Sequence, residues 1–97
     1  MDEVSTPLLC HVLDAAALAD AGDRLVGEPF LHCCTEAQLA FVLARHFTGR
    51  SGLVVLRFDP ASMPARIEWV RSEPDQDPFP HLYGPLMLDR VTRETWP

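Results

Sequence analysis

Apolar positions first gather in residues 8–13 (Leu-Leu-Cys-His-Val-Leu), a run that predicts an opening strand with His11 in its middle. Asp14 is placed to cap an alanine-rich helix over residues 15–21, and Gly22 suits its C-terminal end. Residues 23–29 read as a loop. Residues 30–33 predict a second short strand, with Phe30 and His32 on one face and Leu31 and Cys33 on the other. Thr35-Glu36-Ala37-Gln38 is a capping box, in which the Thr35 hydroxyl and the Gln38 side chain satisfy each other's backbone donors. Leu39, Val42, Leu43 and Phe47 then recur at helical spacing as a core-facing stripe, and Gly49 ends that helix.

Later in the chain the period changes to two. In residues 53–59, Val54, Leu56 and Phe58 form one apolar face and Arg57 points the other way, before Asp59-Pro60 ends the strand. Residues 66–71 alternate again, with Ile67 and Trp69 opposite Arg66, Glu68 and Val70. The acidic, proline-rich residues 72–78 predict an exposed loop. Phe79-Pro80-His81-Leu82-Tyr83-Gly84-Pro85 follows. Each proline fixes φ near about −65° and biases its predecessor toward extended backbone, so His81 and Tyr83 are held on one face of a stiff segment. Leu86 and Leu88 predict a last strand running toward Val91, and the tail to Pro97 reads as short and frayed. Helices come early and strands late. The fold class expected is α+β: one small domain over residues 1–97 with its core over about 8–91, a split mixed or antiparallel sheet and two helices.

Composition narrows the chemistry. Ninety-seven residues carry a formal charge of −6, with 14 acidic residues against 8 basic ones, all arginine. The absence of lysine excludes a Schiff-base mechanism and a phosphate-binding-loop lysine. The acidic balance argues against a broad nucleic-acid surface. A local arginine site for one phosphate group is compatible with it. No stretch approaches the ~20 apolar residues of a membrane span. The acidic Met1-Asp2-Glu3 is unlike a signal peptide. The three cysteines do not form a secreted disulfide framework, so a cytoplasmic protein with reduced thiols is expected.

The chemically capable groups lie inside strands: His11, His32, Glu68, His81 and Tyr83. A single histidine in an apolar strand is more often a hydrogen-bonded core residue than a catalyst. Three of them with a strand glutamate suggest convergence on a cleft. His46 lies off the main apolar stripe of its helix and reads as surface. A three-histidine zinc site is chemically conceivable, but the spacing is long and irregular, and no metal is expected. Cys34, beside His32 and before a helix N-terminus, can be read as an activated thiol or, more economically, as a small buried apolar side chain.

The segments Phe30-Leu31-His32-Cys33-Cys34-Thr35-Glu36-Ala37-Gln38 and Phe79-Pro80-His81-Leu82-Tyr83-Gly84-Pro85-Leu86 resemble a bacterial family, domain of unknown function 952. The resemblance runs from about Leu9 to Val91. It implies a fold similar to that of ADP-ribosyltransferases and RNA 2′-phosphotransferases, with a nicotinamide-dinucleotide cleft between the halves of a split sheet. On that basis the function expected is binding of NAD or a related small-molecule nucleotide, with ADP-ribosyl or glycosidic-bond transfer or hydrolysis. Glu68 is expected to stabilise an oxocarbenium-like state. His32 and His81 are expected to contact phosphate or move protons. His11 would hydrogen-bond the ribose or nicotinamide amide, Tyr83 would cover the ring, and Arg57 or Arg66 would meet the pyrophosphate. A non-catalytic nucleotide- or metabolite-binding module is the alternative. The chain departs from the family pattern at Cys10, Pro29 and Cys34, which stand for tyrosine, glycine and serine, and it lacks a tryptophan in the first helix.

Overall fold

A computed structural model describes residues 7–96. The acidic N-terminus, on which the expectation of no signal peptide rests, and Pro97 lie outside the described residues. In chain order the elements are β1 (Leu9–Asp14), α1 (Ala15–Asp20), β2 (Arg24–Leu25), β3 (Leu31–His32), β4 (Cys34–Thr35), α2 (Glu36–His46), β5 (Leu53–Phe58), β6 (Arg66–Val70), β7 (Phe79–Tyr83), β8 (Leu86–Met87) and β9 (Val91–Trp96), with short 3-10 turns at Pro60–Ser62 and Leu88–Arg90. The result is a small α+β domain with two helices.

Three sheets form, in the orders β4-β1-β5-β9, β3-β7-β6 and β2-β8. Every pairing among the described residues is antiparallel, so of the split mixed or antiparallel sheet expected it is the antiparallel form that is seen there. The expected fraying tail is instead β9, which pairs with β5 along all six residues from Val91 to Trp96. The loop expected at residues 23–29 contributes the two-residue β2.

Burial follows the alternation. On one face of the four-stranded sheet, Leu9, Leu13, Val54, Leu56 and Phe58 pack against Leu31 and Leu82 of the three-stranded sheet and Leu86 of β8. On the other face, Cys10, Val12, Leu53 and Val55 pack under Leu39, Val42, Leu43 and Phe47 of α2. This places the helical stripe where its spacing predicts. The capping box forms as read: Thr35 N–H donates to Gln38 Oε1 at 2.9 Å, and Gln38 N–H donates to Thr35 Oγ1 at 3.1 Å. Asp14 stands at the N-cap of α1 without a side-chain cap. Its carboxylate accepts from Arg50 at 2.6 Å, and the Ala15 N–H is satisfied by the Gly52 carbonyl at 2.8 Å.

One short segment joins the two larger sheets. Leu31 and His32 pair with Leu82 and His81 of β7, while Cys34 and Thr35 pair with Cys10 and Leu9 of β1. Between them, the Cys33 N–H donates to the Pro80 carbonyl at 3.1 Å. Pro80 thus sits in a central strand where the ladder is being abandoned, and its missing donor breaks no continuous row of bonds. Gly84 follows at φ +124°, where only glycine is at ease, and a Cβ there would lie 2.8 Å from Ala65 Cβ.

Candidate functional site

The crossing at residues 31–35 leaves a seam. β4 accompanies β1 only at Leu9 and Cys10, so the edge of β1 from His11 onward is not covered by it. A cleft of about 1020 Å³ opens there, with His11, His32, His81 and Phe30 on one side and Phe41, Arg45 and His46 of α2 on another. Glu73 and Asp75 of the acidic loop close the rim. Gln38 ties this loop to the helix, because its Nε2 donates to the Pro78 carbonyl at 2.9 Å.

Strand register sets the order of groups at the seam. His32 stands opposite His81, and His81 opposite Glu68, giving one row across β3, β7 and β6. Tyr83 and Arg66 form a second row on the same face, while Leu31, Leu82 and Ile67 point into the core. Phe30 packs over this face. Its ring stacks on His81 at 3.9 Å between centroids with 10° between planes, and meets His32 edge-on at 4.7 Å. Gly27 permits that placement, since a Cβ there would come within 2.2 Å of the Phe30 carbonyl oxygen.

His11 reaches the same place from β1. Its Nδ1 lies 2.6 Å from the His32 carbonyl oxygen. A carbonyl only accepts, so Nδ1 carries the hydrogen and Nε2 of the neutral ring is left as an acceptor. Burial pushes His11 below the ordinary histidine value, and the His32 charge acts in the same direction, against the opposing effect of the backbone hydrogen bond. His81 is also lowered, first by burial and then by His32, with Glu68 opposing. Among the described residues, His81 Nδ1 is buried and finds no hydrogen-bond partner.

The remaining expected residues divide. Glu68 continues the histidine row but is exposed and is bound by Arg66 at 2.9 Å, outside the lining of the cleft. Tyr83 is not free to cover a ligand ring: the Arg66 guanidinium lies 4.5 Å above it and Phe30 lies 5.3 Å away. Arg57 does not reach the cleft. It belongs to the α2-facing side of β5, where Glu36 at 2.5 Å and Glu94 at 2.6 Å hold its guanidinium. Cys34 lines the cleft with His32, but its thiol is hydrogen-bonded to Cys10 rather than to His32, and that bond draws it below the usual thiol value against the effect of burial. The chain changes sheets after His32, and Cys34 is 2% exposed beneath α2, facing Cys10. The hydrogen bond with Cys34, and then burial, hold Cys10 far above the usual thiol range, and burial pushes Cys33 up to about 12. Among the described residues, no group of three or more His, Cys, Asp or Glu side chains is arranged to hold a metal ion.

Phe30, Arg45 and His46 are among the further residues that line the cleft. The shared face of Phe30 and His32 was visible in the strand alternation. For Arg45 and His46 the one available signal was two basic residues in the last turn of a helix.

Residues 10–94 match the family described as "Protein of unknown function (DUF952)". The chain belongs to this family. The matched span contains all of the histidine cluster, with β1 from Cys10 onward and the whole of β3 and β7. The crystal structure of protein CC0527 from Caulobacter crescentus is similar, with 27% sequence identity, a TM-score of 0.77, and coverage of 91% of this chain and 84% of that chain. A double mutant of the same Caulobacter protein gives 28% identity and a TM-score of 0.76 over the same shares. A comparison with curated proteins found no match. The DUF952 description assigns no activity, so the function has to be argued from the cleft itself.

Proposed function

We propose that the cleft binds NAD or a related nucleotide, and that the protein acts in ADP-ribosyl or glycosidic-bond transfer or hydrolysis. The observation that carries this reading is the convergence of three imidazoles, His11, His32 and His81, on one opened seam. The volume of about 1020 Å³ lies just above the ~300–1,000 Å³ usual for ligand pockets. In a chain without lysine, imidazoles and Arg45 are the groups available there to meet phosphate oxygens. The reading treats the seam as the counterpart of the dinucleotide cleft of ADP-ribosyltransferases and RNA 2′-phosphotransferases.

The residues take distinct roles. His11 Nε2 accepts a hydrogen bond from a ribose hydroxyl or a carboxamide N–H, because its Nδ1–H is committed to the His32 carbonyl. His32, exposed at the seam, contacts phosphate or carries a proton. His81, held flat by Phe30, links that group to Glu68. Glu68 supplies negative charge for an oxocarbenium-like state once Arg66 moves to the ligand's pyrophosphate.

The position of Glu68 supports a second reading. Its carboxylate is paired with Arg66 and stands beyond the cleft lining, which favours a binding module without catalysis. Nicotinamide release from NAD separates the two. For the enzyme, wild-type protein releases nicotinamide and Glu68→Gln lowers the rate by about 100-fold or more, while dinucleotide binding is retained. Binding without release, equal in wild type and variant, establishes the module.

A further inference from the structure

β6 lies at the edge of the three-stranded sheet: β7 takes its inner side, and no described strand pairs with its outer side. Pro80 determines which backbone groups face outward. The Pro80 carbonyl accepts from Cys33 on the β3 side of β7. In an antiparallel ladder a residue's N–H and C=O point to the same side, and the side alternates along the strand. Phe79, His81 and Tyr83 therefore bond to β6, at Val70, Glu68 and Arg66. Ile67 and Trp69 must then direct their N–H and C=O groups away from β7, while the ladder ends at Arg66 and the chain bends at Ala65 beside Gly84.

An antiparallel second copy completes this ladder only when centred on a residue whose backbone faces out. Centred on Ile67, the pairing sets Ile67 against itself, with its outward donor and acceptor both used, and brings Trp69 to the bend at Ala65. The intervening pairs are Arg66 against Glu68, twice, on the face that carries His32 and His81. Trp69, 52% exposed, gains a small residue to pack on. The other symmetric choices are worse. Centring on Glu68 opposes two carboxylates and uses inward-facing groups, and centring on Trp69 sets Glu68 against Val70. The long outer edge of β9 offers no equal: centring it on Arg93 or Glu94 opposes like charges.

We propose that the chain associates with a second copy of itself through β6, as an antiparallel pair centred on Ile67. The row of groups His32, His81 and Glu68 is then continued by Arg66 of the second copy, which brings the interface up to the edge of the histidine cluster.

Sedimentation equilibrium tests this. Wild-type protein is expected to be dimeric. Ile67→Pro removes an outward N–H without touching the bonds to β7, and is expected to give a monomer with unchanged far-UV circular dichroism. Arg66→Glu and Glu68→Arg each oppose like charges in both cross pairs, so each alone is expected to be monomeric. Their equimolar mixture restores two complementary pairs and is expected to dimerise. The mixing result decides the matter even if Ile67→Pro does not fold. Wild type that stays monomeric at on the order of 100 µM overturns the proposal. So does a dimer that survives both single charge reversals, or a mixture that remains monomeric.

Discussion

His11 donates its Nδ1–H to a backbone carbonyl and is pushed toward the neutral state by burial, which makes Nε2 a fixed acceptor at the seam. The same geometry fixes the sign of a pH effect. The ordinary value is 6.5 and the folded value lies below it, so in that interval the unfolded chain takes up a proton that the folded chain refuses. Stability is therefore complete above the ordinary value and declines as pH falls below it. His81 contributes in the same direction. Replacing His11 by asparagine keeps a donor near the Nδ1 position and removes the titration. Between about pH 7 and about pH 5, thermal melts should lose less Tm in His11→Asn than in wild type. An unchanged slope would show that His11 does not resist protonation in the fold. At this scale the sequence was informative about faces and silent about partners. Phe30 with His32, and Arg57 opposite Val54, Leu56 and Phe58, follow from a two-residue period. That Arg57 is held by Glu36 and Glu94, 21 and 37 residues away, does not follow from any local pattern.

Among the elements, those with strong local chemistry were legible. α2 follows from its capping box and its stripe, and β5 from its alternation. The two-residue strands β2, β3, β4 and β8 are too short for a period to register and exist through their partners. β9 escapes a sequence pattern for a different reason. Thr92 to Trp96 are exposed, so an edge strand with solvent on both faces looks like a polar tail. Its contribution is backbone pairing, which seals the outer side of β5, and the charge of Glu94 beside Arg57. Deleting residues 91–97 should consequently expose the edge of β5, a strand whose Leu53, Val55 and Leu56 are at most 1% exposed. The expected outcome is loss of the cooperative far-UV melt and association on size-exclusion chromatography. A truncated chain that melts like wild type would show β9 to be dispensable.

For the whole molecule, the α+β class and the late clustering of strands were readable, because periodicity changes from helical to alternating along the chain. The route of the chain through residues 31–35 was not. One five-residue segment pairs with β7 and then with β1, and that change of partner creates the seam, sets Cys34 against Cys10 and brings His11 to His32. It depends on long-range pairing and on Pro80, whose local signature is only that of a stiff strand. The central claim is that this seam is a nucleotide site read by three histidines. Its most direct test is the thermal shift of wild-type protein, His11→Asn and His32→Ala with NAD and with ADP-ribose. At a ligand concentration about 100 times the dissociation constant, a bound nucleotide stabilises the native state by about 2.7 kcal/mol. In a domain of this size that should raise Tm by roughly 10–20 °C in wild type, and by clearly less in either variant. No shift with either nucleotide at millimolar concentration, or shifts equal in all three proteins, would contradict the assignment of the seam.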